Sequence, residues 1–144
     1  MLHISQLTED YLKPAGRYIR VFPGGFHEAP ALFKANGRYF LFSSHCTGWA
    51  PNAGRLSVAD SIWGPWREAG NPWHGPEEKA SVSFGTQSTF VLPVVGKPGA
   101  FIFMADLWRP KNAIDGRYVW LPIRWENGLP VLEWRSEWDM SAFE

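Results

Sequence analysis

Two polar residues stand ahead of two similar apolar runs. Glu28 precedes Ala29-Pro30-Ala31-Leu32-Phe33, and Gln87, 59 positions later, precedes Ser88-Thr89-Phe90-Val91-Leu92. A carboxyl at the start of an apolar strand is partly desolvated, which raises its pKa and keeps it protonated, the state a general acid needs. The same carboxyl can instead cap backbone groups of a local turn. Gln87 reads either as a hydrogen-bonded inner-strand amide or as a second polar head aimed at the pocket that Glu28 faces. The other chemically versatile side chains form no such pattern. His27 and His45 lack metal-ligand spacing, and His3 and His74 add nothing to them, so the expected metal complement is none. The single cysteine, Cys46, excludes an intrachain disulfide or a cysteine-based metal cage, and no His–Asp support for it as a nucleophile is legible.

The elements that must carry Glu28 and Gln87 are short β-prone runs punctuated by turn residues. They are Ala31-Leu32-Phe33, Tyr39-Phe40-Leu41-Phe42, Leu56-Ser57-Val58-Ala59, Thr89-Phe90-Val91-Leu92, Ala100 to Met104 and Tyr118 to Ile123. No window supports an amphipathic helix of three turns; the best, Glu77 to Ser81, is too short and too polar. The runs repeat. Pro30 to Phe33, a turn at Ala35-Asn36-Gly37 and Tyr39 to Ser44 match Thr89 to Leu92, a turn at Gly96 to Gly99 and Ala100 to Asp106. Each hairpin is followed by a second that begins Gly-Arg, at Gly54-Arg55 and at Gly116-Arg117, ending near Glu68 and Trp134. The period is about 60 residues with four strands in each unit. Ile4 to Leu7 and Tyr11 to Gly16 form a partial copy holding only the outer hairpin.

Repeated four-stranded antiparallel units are the mark of propeller blades. The expected fold is an all-β partial β-propeller of about two and a half blades, with 1–25 an outer hairpin, 26–80 a second blade and 81–144 a third. A packed sandwich of the same strands is the alternative. Two and a half blades close no ring, so open blade faces imply a fragment, self-association or a complementary N-terminal half supplied by another chain. In a propeller the first strand of each blade lines the channel, which gives Glu28 and Gln87 equivalent addresses at its mouth.

Composition narrows the partners. Fourteen basic residues balance 14 acidic ones in 144, so there is no electrostatic footprint for nucleic acid or anionic lipid. No apolar run is long enough to span a bilayer, and the start, Met1 to Gln6, has no secretory signal pattern. Nine Trp, ten Phe and four Tyr can stack on sugar rings, though most are expected in the core.

The segment Phe22-Pro23-Gly24-Gly25, Glu28-Ala29-Pro30-Ala31-Leu32-Phe33-Lys34, Gly37 to Ser44 and Thr47-Gly48-Trp49-Ala50-Pro51-Asn52 resembles glycoside hydrolase family 43, in particular its exo-β-1,3-galactanase subgroup. Gly64-Pro65-Trp66, Gln87-Ser88-Thr89, Gly116 to Ile123 and Trp138-Asp139-Met140-Ser141 extend the likeness along nearly the whole chain. The resemblance implies the C-terminal part of a five-bladed propeller that hydrolyses glycosidic bonds with inversion. It implies Glu28 as general acid and Gln87 as the residue that orients or deprotonates the attacking water, in place of the Asp that many members use. It puts Thr47, Trp49 and Asn52 on a loop that binds galactose, without any cofactor. Asp106 and Trp108, ending the strand equivalent to Phe42-Ser43-Ser44, approach the same face. The expected activity is hydrolysis of β-1,3-galactan or a related galactose-containing polysaccharide, by a chain inactive alone because preceding blades carry further acidic residues. Full-length relatives are expected to be secreted or periplasmic. The alternatives are a non-catalytic carbohydrate-binding fragment and a protein-interaction fragment.

Overall fold

A computed structural model describes all residues, Met1–Glu144. The first two strands, β1 (Leu2–Leu7) and β2 (Pro14–Val21), pair only with each other, Ile4 opposite Ile19. The second strand therefore starts later than the expected Tyr11–Gly16. The cause is a side-chain turn: Thr8 donates its hydroxyl to Asp10, whose carboxylate also accepts from Leu12 N at 3.1 Å, and Tyr11 takes the left-handed region at φ 61°. These bonds hold the Asp10 carboxyl below the ordinary carboxylate range.

The middle unit is a four-stranded antiparallel sheet in sequence order: β3 (His27–Ala35), β4 (Arg38–His45), β5 (Arg55–Ala59) and β6 (Arg67–Gly70). Asn36 and Gly37 link β3 to β4 with φ of 49° and 77°, the two-residue geometry whose twist matches the flanking strands. A two-residue strand β7 (Trp73–His74) and a single helical turn α1 (Glu77–Ala80) follow.

The last unit repeats the inner three strands as β8 (Gln87–Pro93), β9 (Phe101–Leu107) and β10 (Arg117–Pro122), but its final hairpin leaves the ladder. That hairpin is β11 (Arg124–Glu126) and β12 (Leu129–Glu133); β12 pairs in parallel with β7, Leu132 opposite Trp73. Two causes are visible. Pro122 and Pro130 cannot donate to a sheet ladder, and Trp125 on β11 is drawn over the seam between the two blades. Its indole meets Phe40 at 5.4 Å, Phe101 at 6.3 Å and Phe33 at 6.4 Å, and donates to Gly99 O at 3.1 Å.

The fold is an all-β partial propeller whose core lies between the two larger sheets. Phe33, Phe40, Phe42, Leu56 and Val58 on the middle blade face Val91, Phe103, Ala105 and Leu121 on the last. Phe42 and Phe103 are fully buried with centroids 5.2 Å apart, and Trp73 stands edge-on to both at 5.8 and 5.6 Å. Burying a side chain of this size stabilises by about 1.5–3 kcal/mol. The practical result is a stiff seam that fixes the starts of β3 and β8 against each other.

Candidate active site

β3 and β8 carry the same irregularity at the same place. The β3 register shifts between Glu28 and Ala31, and the β8 register shifts between Ser88 and Phe90. A bulge bends a strand and re-aims the side chains beside it. Around the first, Phe26 and Ala29 hold φ of 46° and 50°; ahead of the second, Ser83, Phe84 and Gly85 hold 53°, 58° and 75°. Non-glycine residues in this region cost of order 1–3 kcal/mol each and persist only where their surroundings hold them. Here the surroundings are explicit. Ser83 Oγ donates to Asn52 O at 2.8 Å, Thr86 Oγ1 donates to Ser83 O at 2.7 Å, and Phe84 meets Trp134 edge-on at 5.6 Å.

These bends bring the two expected residues together. Gln87 Nε2 donates to Glu28 Oε1 at 3.0 Å, and the adjacent Ser88 hydroxyl donates to Ala29 O. Glu28 lies opposite Ser44 on β4, and Gln87 opposite Asp106 on β9. Ser44, Trp49, Asn52, Thr86, Gln87 and Trp108 line a small recess at this junction. Trp49 and Trp108 are 66% and 46% exposed, with ring centroids 5.0 Å apart, and so offer indole surface beside Gln87.

Thr47 and Asn52 also reach this loop, but their polar atoms are occupied. Asn52 accepts from His45 N and donates to His45 O, both at 3.0 Å, taking the place of a partner strand at the end of β4. It also donates to Thr47 Oγ1 at 2.6 Å, and Thr47 donates to Ala50 O at 2.6 Å. Their visible work is to shape the loop that presents Trp49. Asp106 is half-buried, paired through its backbone with Gln87 and Tyr118, and its carboxylate has neither hydrogen bond nor ion pair.

Three further neighbours surround the pair, of which only Ser44 escaped the sequence reading. Ser44 Oγ is buried with no partner in the chain, and its position opposite Glu28 on β4 was the available signal. Cys46 sits near Glu28, where desolvation and the carboxylate beside it push the thiol above its ordinary value. His27 is buried next to the candidate acid: Nδ1 lies 2.9 Å from Ser43 Oγ, Phe22 stacks on the ring at 4.4 Å, and Nε2 faces Glu68 at 3.5 Å. Burial, then the Arg55 charge, lowers the His27 pKa against the opposing pull of Glu68. Arg55 ties the group to the approach to Glu28, pairing with Glu68 and donating to Gly25 O at 2.6 Å.

No family model matches the chain. Among solved structures, a family 43 β-1,3-galactosidase bound to galactodeoxynojirimycin superposes with a TM-score of 0.91 at 48% identity, over 96% of this chain and 39% of that one. A second family 43 β-1,3-galactosidase gives 0.92 at 38% identity, over 98% of this chain and 29% of that one. Along nearly its whole length the chain is similar to enzymes of glycoside hydrolase family 43. The exo-β-1,3-galactanase of Phanerochaete chrysosporium, solved with β-1,3-galactotriose, matches this chain with a TM-score of 0.78 at 33% identity, over 90% of it and 29% of the fungal protein. A β-D-galactofuranosidase of Aspergillus niger is 30% identical over 89 residues, 60% of this chain and 26% of the relative. The chain thus spans well under half the length of each of these relatives.

Proposed function

We propose that this chain forms part of an inverting glycoside hydrolase acting on β-1,3-galactan or a related galactose-containing polysaccharide, with Glu28 as general acid. The observation that carries the reading is the hydrogen bond from Gln87 to Glu28, which joins the starts of two blades beside a recess walled by Trp49 and Trp108. The β-1,3-galactosidases and the galactanase that share the fold support the choice of sugar. In the reaction the bond from the anomeric carbon to the leaving oxygen breaks as Glu28 protonates that oxygen, water adds to the anomeric carbon from the opposite face, and the proton the water sheds passes to solvent. Inverting pairs of carboxyls stand about 6.5–9.5 Å apart to admit that water, so the glycosidic oxygen must replace Gln87 as the partner of Glu28. Gln87, displaced from Glu28, then has an amide carbonyl with which to hold the water. Trp49 and Trp108 supply stacking surface, Thr47 and Asn52 hold the loop, and Asp106 accepts from sugar hydroxyls.

The chain alone is proposed to bind galactosides without turning them over at an enzyme's rate, because it spans only 26–39% of these relatives. Its blade boundaries are proposed at 1–25, 26–80 and 81–144. A complementary portion of propeller, or a second copy, is proposed to cover the outer face of the last sheet. Phe90, Leu92 and Trp120 are 52%, 38% and 48% exposed there. The test pairs galactose binding, followed through the Gln87 side-chain amide signals by NMR, with galactose release from β-1,3-galactobiose. Saturable shifts with negligible release support the reading. Absence of binding overturns it, and release at an enzyme's rate overturns inactivity.

A further inference from the structure

The backbone that delivers Glu28 is bent and must be held. Phe22, Phe26 and Ala29 have φ of 53°, 46° and 50°, left-handed values that non-glycine residues keep only where their surroundings enforce them. The holder lies on the other face of the middle sheet. Leu56 and Val58 face the last blade, so Arg55 and Ser57 turn away from it, and Glu68, opposite Ser57, turns with them. Arg55 forks between two partners: Nη1 donates to Gly25 O at 2.6 Å and Nη2 pairs with Glu68. The Arg55 side chain is only 14% exposed, and both bonds are charge-assisted.

Gly25 passes this hold to the strand. Its N–H donates to Phe22 O at 2.9 Å, and a Cβ added there would lie 2.9 Å from the His27 ring and 3.0 Å from Phe22 Cβ, so the turn is pressed onto His27. The His27 ring is in turn fixed between Phe22 and Ser43 Oγ. Successive strand residues point to opposite faces, so locking His27 on one side aims Glu28 to the other, where Gln87 donates to it at 3.0 Å. Neither Arg55 nor Glu68 lines the recess, so any effect they have there passes through Glu28.

We propose that Arg55 and Glu68 are positioning residues for Glu28: the fork from Glu68 to Gly25 O sets the bend that aims the Glu28 carboxyl at Gln87 and at the sugar. That Glu28 serves as the acid rests on the reading given above; its aim at Gln87 does not. The side-chain amide NMR signals of Gln87 in the ligand-free chain report that aim, with Glu28→Ala marking their position when the bond is absent. Glu68→Ala, and Arg55→Lys, which keeps the charge but not the fork, move the signals most of the way to that position. Glu68→Gln keeps an acceptor for Arg55 and leaves them near their wild-type place. Glu68 is half-exposed, so its substitutions leave the core intact and decide the matter even if Arg55→Lys fails to fold. A mere prop for the fold would lower the urea midpoint without moving Gln87. Unmoved Gln87 signals in Glu68→Ala or in folded Arg55→Lys, or equal movement in Glu68→Gln and Glu68→Ala, overturn the proposal. Calorimetric titration extends the test to the sugar: Glu68→Ala weakens the cationic galactodeoxynojirimycin about fivefold or more and neutral galactose less than about twofold, since only the former gains a charge-assisted bond to Glu28. Equal losses for the two ligands, or none, overturn the aim at the sugar. If neither ligand binds the wild type, the reading of the recess falls, and the Gln87 signals alone still decide the positioning role.

Discussion

Gly54 shows how tightly the candidate site is tied to the core. A Cβ added there lies 1.9, 2.2 and 2.6 Å from three ring atoms of Trp73, where carbon atoms normally approach to about 3.5–4.0 Å. Trp73 cannot yield, because it is 4% exposed and stands edge-on to the fully buried Phe42 and Phe103. The backbone at residue 54 must therefore move by about 1.5 Å or more to restore ordinary contact. Overpacking of this kind costs about 1–3 kcal/mol, and the upper end applies where both partners are buried. Gly54→Ala is expected to destabilise the chain by about 3 kcal/mol, lowering the urea midpoint by roughly 1–2 M at an ordinary m-value. Tryptophan fluorescence during urea unfolding measures it. Adding Trp73→Leu should restore room, so the double variant loses less than the sum of the singles. The displacement also reaches the site, since Asn52 lies two residues before Gly54 and Arg55, which holds Gly25, lies one after. A Gly54→Ala protein within about 0.5 kcal/mol of wild type, the range of an innocuous surface change, would refute the packing account.

His27 makes stability depend on pH. Its folded pKa lies below the ordinary 6.5, so between the two values the unfolded chain binds the extra proton and stability falls as pH drops below about 6.5. His27→Gln removes that part of the slope, as denaturation midpoints measured from pH 7.5 to 5 would reveal; an unchanged slope counts against the buried neutral imidazole. Asn52→Ala strips His45 of both backbone partners and Thr47 of one, and is expected to cost about 1–3 kcal/mol. The same change should quicken amide exchange at His45 and weaken galactose binding by loosening the Trp49 loop; a variant with wild-type stability and exchange contradicts that role.

The strands and the meeting of Glu28 with Gln87 were legible because local signals carried them. Asn36-Gly37 announces a tight hairpin, and a repeat of similar runs assigns two residues the same address whatever their side chains. The rest depended on contacts distant in sequence. The parallel pairing of Trp73-His74 with Leu132-Glu133 is two residues long and has no periodicity to read. The departure of the last hairpin follows from where Trp125 finds its aromatic partners, and only Pro122 and Pro130 hinted at it. Thr47 and Asn52 have the right chemistry for sugar hydroxyls, yet a five-residue gap also lets them bond to each other, and type and spacing alone cannot separate these uses.

The central claim is that Glu28, bonded to Gln87 at the edge of the recess walled by Trp49 and Trp108, meets the bound galactose. Galactodeoxynojirimycin, the ligand of a related β-1,3-galactosidase, carries a basic nitrogen that becomes cationic. Calorimetry of this compound against the wild type and Glu28→Gln, at a pH where the nitrogen is protonated, probes that carboxylate directly. A charge-assisted hydrogen bond contributes about 1.5–3 kcal/mol, so Glu28→Gln should weaken the iminosugar by roughly 10- to 150-fold and neutral galactose far less. Equal losses for the two ligands, or no loss for either, would contradict the placement of Glu28 at the sugar.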